Sequence, residues 1–171
     1  MNQLALPALA AGDACLSACG TYRYRLRRGA APHLGFVMLN PSTADATADD
    51  PTIARCCGFA RREGLGGIDV VNLYAYRSTV PAALHQVRDP VGPDNDPWLV
   101  HFAKWHRRIV CAWGAGAPDE ERVLEVTQLL AHYGAQLLCL GVTKDGSPRH
   151  PLYVKADQPL TPWRPLRAAA A

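Results

Sequence analysis

Three residues stand out by type and placement. Asn40 directly follows the apolar run Val37–Leu39 and precedes Pro41. Asn72 interrupts the apolar stretch Ile68–Tyr74, and His150 precedes Pro151 in a late polar segment. An asparagine amide oxygen is too weak a base to deprotonate water, but it can orient one. An asparagine amide also presents a donor beside an acceptor, which matches the Watson–Crick edge of a nucleobase. An imidazole N–H stabilises an anionic leaving group. The reaction that suits this set is hydrolysis of an N-glycosidic bond, whose oxocarbenium-like transition state needs a positioned water and a stabilised departing base. Each residue also has a plainer reading. Asn40 can hold its own turn, Asn72 can make a core hydrogen bond, and His150 can sit on the surface.

The neighbours of these residues extend the possibilities. Ser42 and Thr43 beside a helix start suit a phosphate. Asp45, Asp49, Asp50 and Thr52 make an acidic loop that either caps the next helix or binds magnesium, a hard cation that prefers oxygen ligands. The second option makes magnesium-dependent nucleotide hydrolysis an alternative activity. Arg55, Arg77 and Arg149 fall beside these segments, where a rigid guanidinium fork holds a phosphate or pairs with the acidic loop. There is no Gly-x-Ser-x-Gly elbow, no phosphate-cradling glycine loop with lysine and no C-x-x-C pair among the six cysteines. No cofactor is expected.

The elements that must position these groups follow from periodicity. Residues 22–28 alternate Tyr22, Tyr24 and Leu26 with Arg23, Arg25 and Arg27, the pattern of a half-buried strand with an arginine row facing solvent. That row could also track a phosphate backbone. A turn at Gly29–Pro32 leads to a second strand over 34–39, and the two are expected to form an antiparallel hairpin. A helix opens at Pro51, capped by Asp49 or Asp50. Strands are expected over 68–74, 109–113 and 136–142, with helices over 97–106 and 118–133 between them. A short helical turn is expected near 82–86. The expected fold is therefore α/β: a three-layer α/β/α domain with a four-stranded parallel sheet after an N-terminal antiparallel hairpin. In such a sheet the segments after the four strands converge on one edge, which would gather Asn40, Asn72, Gly114–Gly116 and His150.

Composition sets outer limits. The chain has 171 residues, 49% of them hydrophobic and 19% charged, which suits one domain with a substantial core. A single domain over 19–155 is expected, with a flexible N-terminus over 1–18 and a loose proline-rich tail over 156–171. The formal net charge is +3, and only Lys104, Lys144 and Lys155 are lysines, so the basic set is mostly arginine. No run reaches the roughly 20 apolar residues of a membrane span. Pro7 and Asp13 interrupt the N-terminal apolar run that would otherwise suggest a signal. A cytoplasmic protein with no membrane partner is expected. Oligomeric state is not legible.

Several motifs carry a resemblance. They are Phe36-Val37-Met38-Leu39-Asn40-Pro41-Ser42-Thr43-Ala44-Asp45 with Asp49-Asp50-Pro51-Thr52, then Val71-Asn72-Leu73-Tyr74-Ala75-Tyr76-Arg77 and Pro90–Asp96. Trp113-Gly114 and the run from Leu140 to Tyr153 complete the set. Over roughly residues 19–154 the chain resembles a bacterial and phage family known as a domain of unknown function, DUF1643. More remotely it is similar to the uracil-DNA glycosylase superfamily, through Met38-Leu39-Asn40-Pro41, Val71-Asn72-Leu73 and His150-Pro151. That second resemblance implies a glycosylase-like fold. It also implies that Asn40 guides the water, Asn72 reads the base and His150 stabilises the departing base. Phe59 and Tyr74 are the candidates for an aromatic that stacks on the base. The expected partner is a nucleobase, a nucleoside or a nucleic acid, with a non-catalytic ligand-binding module as a further alternative.

Overall fold

The protein is described here by a computed structural model, covering residues 13–45, 47–117 and 119–165. It is a mixed α/β fold built on one seven-stranded sheet. Strands β1 (Ala14–Leu16), β2 (Arg23–Gly29) and β3 (His33–Met38) precede helix α1 (Pro51–Arg62). Strand β4 (Gly67–Asn72), helix α2 (Asn95–Trp105), strand β5 (Arg108–Cys111), helix α3 (Glu120–His132) and strand β6 (Gln136–Cys139) alternate after it. Short 3-10 turns occupy Pro81–His85 and Pro151–Tyr153, and β7 is Thr161–Pro162. The spatial order is β1-β2-β4-β3-β5-β6-β7. The neighbouring pairs β4–β3, β3–β5 and β5–β6 are parallel, while β1, β2 and β7 join antiparallel.

The sheet is therefore mixed, not a four-stranded parallel sheet with a separate hairpin. β2 and β3 do not pair with each other, because β4 lies between them. Glycines make this insertion possible. Gly67 faces Gly29 on one side and His33 on the other. A Cβ on Gly67 would lie 2.1 Å from the Arg28 carbonyl oxygen, and one on Gly66 would lie 2.5 Å from that of Ala30. Backbones meet here where side chains cannot fit. Gly67→Ala is expected to cost at least about 1–3 kcal/mol, as overpacking does, and a thermal melt would register it as a clear fall in midpoint.

Burial follows the alternation of each strand. Phe36 and Met38 of β3 join Val70, Val110, Ile53 and Phe59 in one core cluster, which includes α1. Val37 joins Val71, Ile109, Phe102 and Val126 in another, which includes α2 and α3. Successive β3 side chains thus enter different clusters, as expected for a strand buried on both sides. Helix α1 starts as expected: Asp50 accepts the Ile53 amide at 2.9 Å, and Pro51 occupies the first turn. Helix α2 begins two residues earlier than expected, at Asn95, with Pro97 inside its first turn. Asp119 caps α3, and Pro118 lies outside the described residues.

The arginine row of β2 does not face solvent. Arg23 and Arg25 are 2% and 1% exposed: helix α2 covers Arg25 with Trp98 and His101, and the Arg23 guanidinium is taken up by the Ala44 carbonyl. Arg25 makes a two-pronged ion pair with fully buried Asp69, one arm at 2.7 Å from Nε to Oδ1. Arg27 and His106 also donate to Asp69 Oδ2, at 3.2 and 2.9 Å. Arg25 further reaches His101 Nδ1 at 2.8 Å. Burial works to raise the Asp69 pKa, but hydrogen bonds and charge from Arg25 and His106 outweigh it and hold the carboxyl well below the usual range.

Both ends contain packed structure where the sequence suggests loose chain. Ala14–Leu16 pairs with β2, while residues 1–12 lie outside the described set. Thr161–Pro162 pairs with β6. Beside it Trp163 packs edge-on against Trp113 with ring centroids 5.1 Å apart, and its indole N–H donates to the Gly146 carbonyl. Residues 166–171 are outside the described set.

Candidate functional site

The carboxyl ends of the parallel strands open onto a cavity of about 500 Å³. This is the edge where open α/β sheets bind ligands, and the volume suits a small organic molecule. Asn40, Asn72 and His150 all line it, together with Ser42 and Arg149. Three segments separated by 32 to 78 residues of chain are thereby brought to one place, because each follows a strand of the same sheet.

Backbone hydrogen bonds fix the loops that carry these residues. The chain after β4 continues along the chain after β3: Leu73 donates to Met38, Tyr74 to Leu39 and Ser78 to Pro41. The late loop is tied to the end of β5 by Gly114 donating to the Pro148 carbonyl at 2.9 Å. Gly114 has φ +82°, a left-handed conformation that favours glycine.

The orientation of Asn40 is determined by its partners. Its Nδ2 donates to the carbonyls of Pro41 at 3.1 Å, Tyr76 at 3.4 Å and Ser78 at 2.9 Å. Three acceptors around one end of the amide identify that end as the nitrogen. No protein donor among the described residues reaches Oδ1. The oxygen is the end left for water or ligand.

Asn72 is 1% exposed, and its Nδ2 is buried without a hydrogen-bond partner among the described residues. An unpaired buried donor costs about 1–3 kcal/mol, so a structural role does not account for this side chain. Its backbone is held firmly. The buried Asn95 donates through Nδ2 to the Asn72 and Leu73 carbonyls at 3.1 and 3.2 Å, and Arg122 adds a bond to Leu73 at 3.0 Å. Asn95 is thus a positioning residue for Asn72. The motif Pro90–Asp96 contains it, but nothing local in the sequence signals that role.

His150 opens the 3-10 turn Pro151–Tyr153, and its Nδ1 accepts the Leu152 amide at 3.3 Å. A neutral ring accepting at Nδ1 carries its proton on Nε2 and offers a donor there. Burial lowers the His150 pKa from 6.5, with the Asp50 carboxylate opposing the shift. The shift favours the neutral ring.

The structure separates the remaining candidates. Phe59 is buried in the core between the guanidinium groups of Arg55 and Arg62, and Tyr74 belongs to the core on the α2 and α3 side. Neither lines the cavity. The aromatic residues that do are Trp113, at 3% exposure, and Tyr153, at 78%. Pro41 and Thr43 lie beside the cavity-lining residues without lining it themselves. Arg77 donates to the Gly20 carbonyl, and Arg55 to those of Pro151 and Val154, so Arg55 supports the turn that follows His150. Ser78 and Thr79 line the cavity without any sequence signal, while Arg23, expected in a solvent-facing row, and Trp113, noted only within a motif, line it as well.

The acidic loop has other work. Asp45 accepts from the Thr47 and Ala48 amides and the Thr47 hydroxyl, which lower its pKa. Asp49 pairs with Arg28 at 2.6 Å, a partner the sequence did not suggest, and Asp50 caps α1. Among the described residues no three His, Cys, Asp or Glu side chains come together as a metal site. Nor is any helix among them long and apolar enough to cross a membrane.

No curated protein and no solved structure matches the chain. A family model does, over residues 23–152, which include every strand-end segment of the cavity. By that match over most of its length, the chain belongs to the family described as protein of unknown function, DUF1643.

Proposed function

We propose that the cavity binds a nucleobase-containing ligand and hydrolyses its N-glycosidic bond. The observation that carries this reading is the meeting of Asn40, Asn72 and His150 in one cavity, each with one polar end uncommitted. The unpaired Nδ2 of Asn72 meets an acceptor on the base edge. Asn40 Oδ1 accepts a hydrogen from the attacking water and aims its oxygen at the anomeric carbon. The carbon–nitrogen bond breaks toward the base, which carries away the electron pair. His150 Nε2–H donates to the base as its negative charge develops. The hydrolytic proton leaves with the base, so no strong general base is required. Tyr153 at the mouth and Trp113 on the wall supply aromatic faces for stacking.

The same order of residues underlies the resemblance to the uracil-DNA glycosylase superfamily. We extend that reading to the fold: β4-β3-β5-β6 as a parallel centre between helices is compatible with a three-layer, glycosylase-like arrangement. A cytoplasmic setting agrees with six free cysteines.

Asn72→Leu tests the recognition step. The substitution keeps the shape and deletes an orphaned donor, so thermal stability is expected to stay level or rise. Affinity for the matching base or nucleoside is expected to fall about 10- to 100-fold, because the base acceptor is left buried and unpaired at a cost of about 1–3 kcal/mol. Calorimetric titration of a nucleoside panel against both proteins reads this. Unchanged affinity would remove Asn72 from recognition. Protonation at Nδ1 removes the Leu152 contact, so base release should decline as pH falls through the His150 pKa, which burial lowers from its ordinary value. A pH–rate profile checks that window.

A further inference from the structure

The cavity contains a second uncommitted group that the base reading does not use. Arg23 is 2% exposed and lines the cavity, yet among the described residues its guanidinium makes a single hydrogen bond, from Nη1 to the Ala44 carbonyl at 2.6 Å. Its Nε is buried without a partner. The other deeply buried arginines are neutralised. Arg25 is paired with Asp69, and Arg122 with Asp96 and Glu125. Among the described residues Arg23 has no such ion pair; burial pulls its pKa down to about 10, which leaves it charged at neutrality. Asp50 and Asp45 favour its charge only from beyond ion-pair distance, and a buried cation without a close counter-charge is unfavourable unless something else supplies one.

The surroundings indicate what supplies it. Ser42, Thr52 and Arg149 line the same cavity. The twelve-residue helix α1 begins there, and its first-turn residues Thr52 and Ile53 are part of the wall. Asp50 is the one carboxylate on that wall, and its Oδ1 already accepts the Ile53 amide. Two guanidinium groups against one carboxylate leave a surplus positive charge.

Building on the base-binding reading, we propose that the ligand carries a phosphate next to its base, and that Arg23 is the buried counter-charge for that phosphate. A guanidinium offers a phosphate two parallel N–H donors, and hydroxyls at a helix start complete such a cradle. The ligand class is then a nucleotide or a nucleotide unit within a strand, and not a free base or nucleoside. A mononucleotide and an oligonucleotide share this chemistry.

The test compares binding of inorganic phosphate, a nucleoside, its 5′-monophosphate and a short single-stranded oligonucleotide. The monophosphate or the oligonucleotide should bind the wild-type protein about 10-fold or more tighter than the nucleoside, the gain of one charge-assisted contact. Which of the two binds tighter separates a free nucleotide from a nucleic-acid ligand. In Arg23→Met that gap should shrink to about threefold or less, with nucleoside affinity unchanged. Should Arg23→Met fail to fold, Arg149→Met and the wild-type comparison still decide the matter. Equal wild-type affinities for nucleoside, monophosphate and oligonucleotide would overturn the proposal while leaving base recognition standing. Phosphate binding with no discrimination among bases would do the reverse, supporting the anion site and removing the base reading.

Discussion

Asn40→Ala is expected to lower single-turnover base release by about 100-fold or more while changing ligand affinity little. The size comes from the role. A group that positions and polarises the attacking water acts mainly in the transition state, so its loss appears in kcat and not in KM. Proton-handling side chains contribute about 10²–10⁴-fold, and an amide, which cannot take the proton, belongs at the low end. The variant also releases the carbonyls of Pro41, Tyr76 and Ser78, so a thermal melt must accompany the kinetics. Asn40→Asp sharpens the result. It keeps an acceptor oxygen but turns an anion toward those three carbonyls, so it should destabilise the loop more than alanine does. A large fall in rate for Asn40→Ala with a folded, ligand-binding protein assigns the residue to chemistry. An unchanged rate would assign it to the turn.

Asp69→Ala is expected to cost about 3–5 kcal/mol of stability, the penalty for removing one partner of a buried ion pair. Asp69 is fully buried and serves Arg25, Arg27 and His106 at once. Removing it leaves the 1%-exposed Arg25 guanidinium inside the sheet with only His101 as a side-chain hydrogen-bond partner. At this chain length the loss corresponds to roughly 10 °C or more in melting temperature. The same carboxylate links stability to pH. Its folded pKa is depressed relative to the ordinary 3.8, so its contribution is complete above that value and is lost as pH falls through the lower folded value. Acid titration of wild type and Asp69→Ala should therefore converge at low pH.

The site was more legible than the fold around it. Asn40, Asn72 and His150 were identifiable because strand ends of a parallel sheet share an edge: Asn40 follows an apolar run, Asn72 interrupts one and His150 lies in the polar segment after the last. That inference needs only strand positions, not their order. The order was not legible. Gly29–Pro32 has every local mark of a hairpin turn, but the backbone approach of Gly66 and Gly67 lets β4 enter between β2 and β3. The arginine row failed for a related reason. Period-two alternation fixes which residues share a face but not whether that face meets water. Arg25 is buried by a partner 44 residues away, which no window along the chain can reveal. The aromatic choice failed on helix phase. Phe59 lies three residues after Cys56 and six after Ile53, all buried on the face of α1 that packs on the sheet. Trp113 lies just past the end of β5 and Tyr153 in a one-turn 3-10 segment, where no periodicity assigns a face. Thr161–Pro162 is a two-residue strand, too short for alternation to register, and Trp163 anchors it from outside the strand.

Release of free base is the most direct measure of the central claim. The wild-type protein would be incubated with uracil-containing and damage-containing oligonucleotides, nucleotides and nucleosides, and the liberated bases quantified beside Asn40→Ala and His150→Ala. The account requires release from at least one substrate class, reduced about 100-fold in Asn40→Ala and clearly reduced in His150→Ala, with both variants folded. No release from any of these substrates, or release that both variants match, would contradict it.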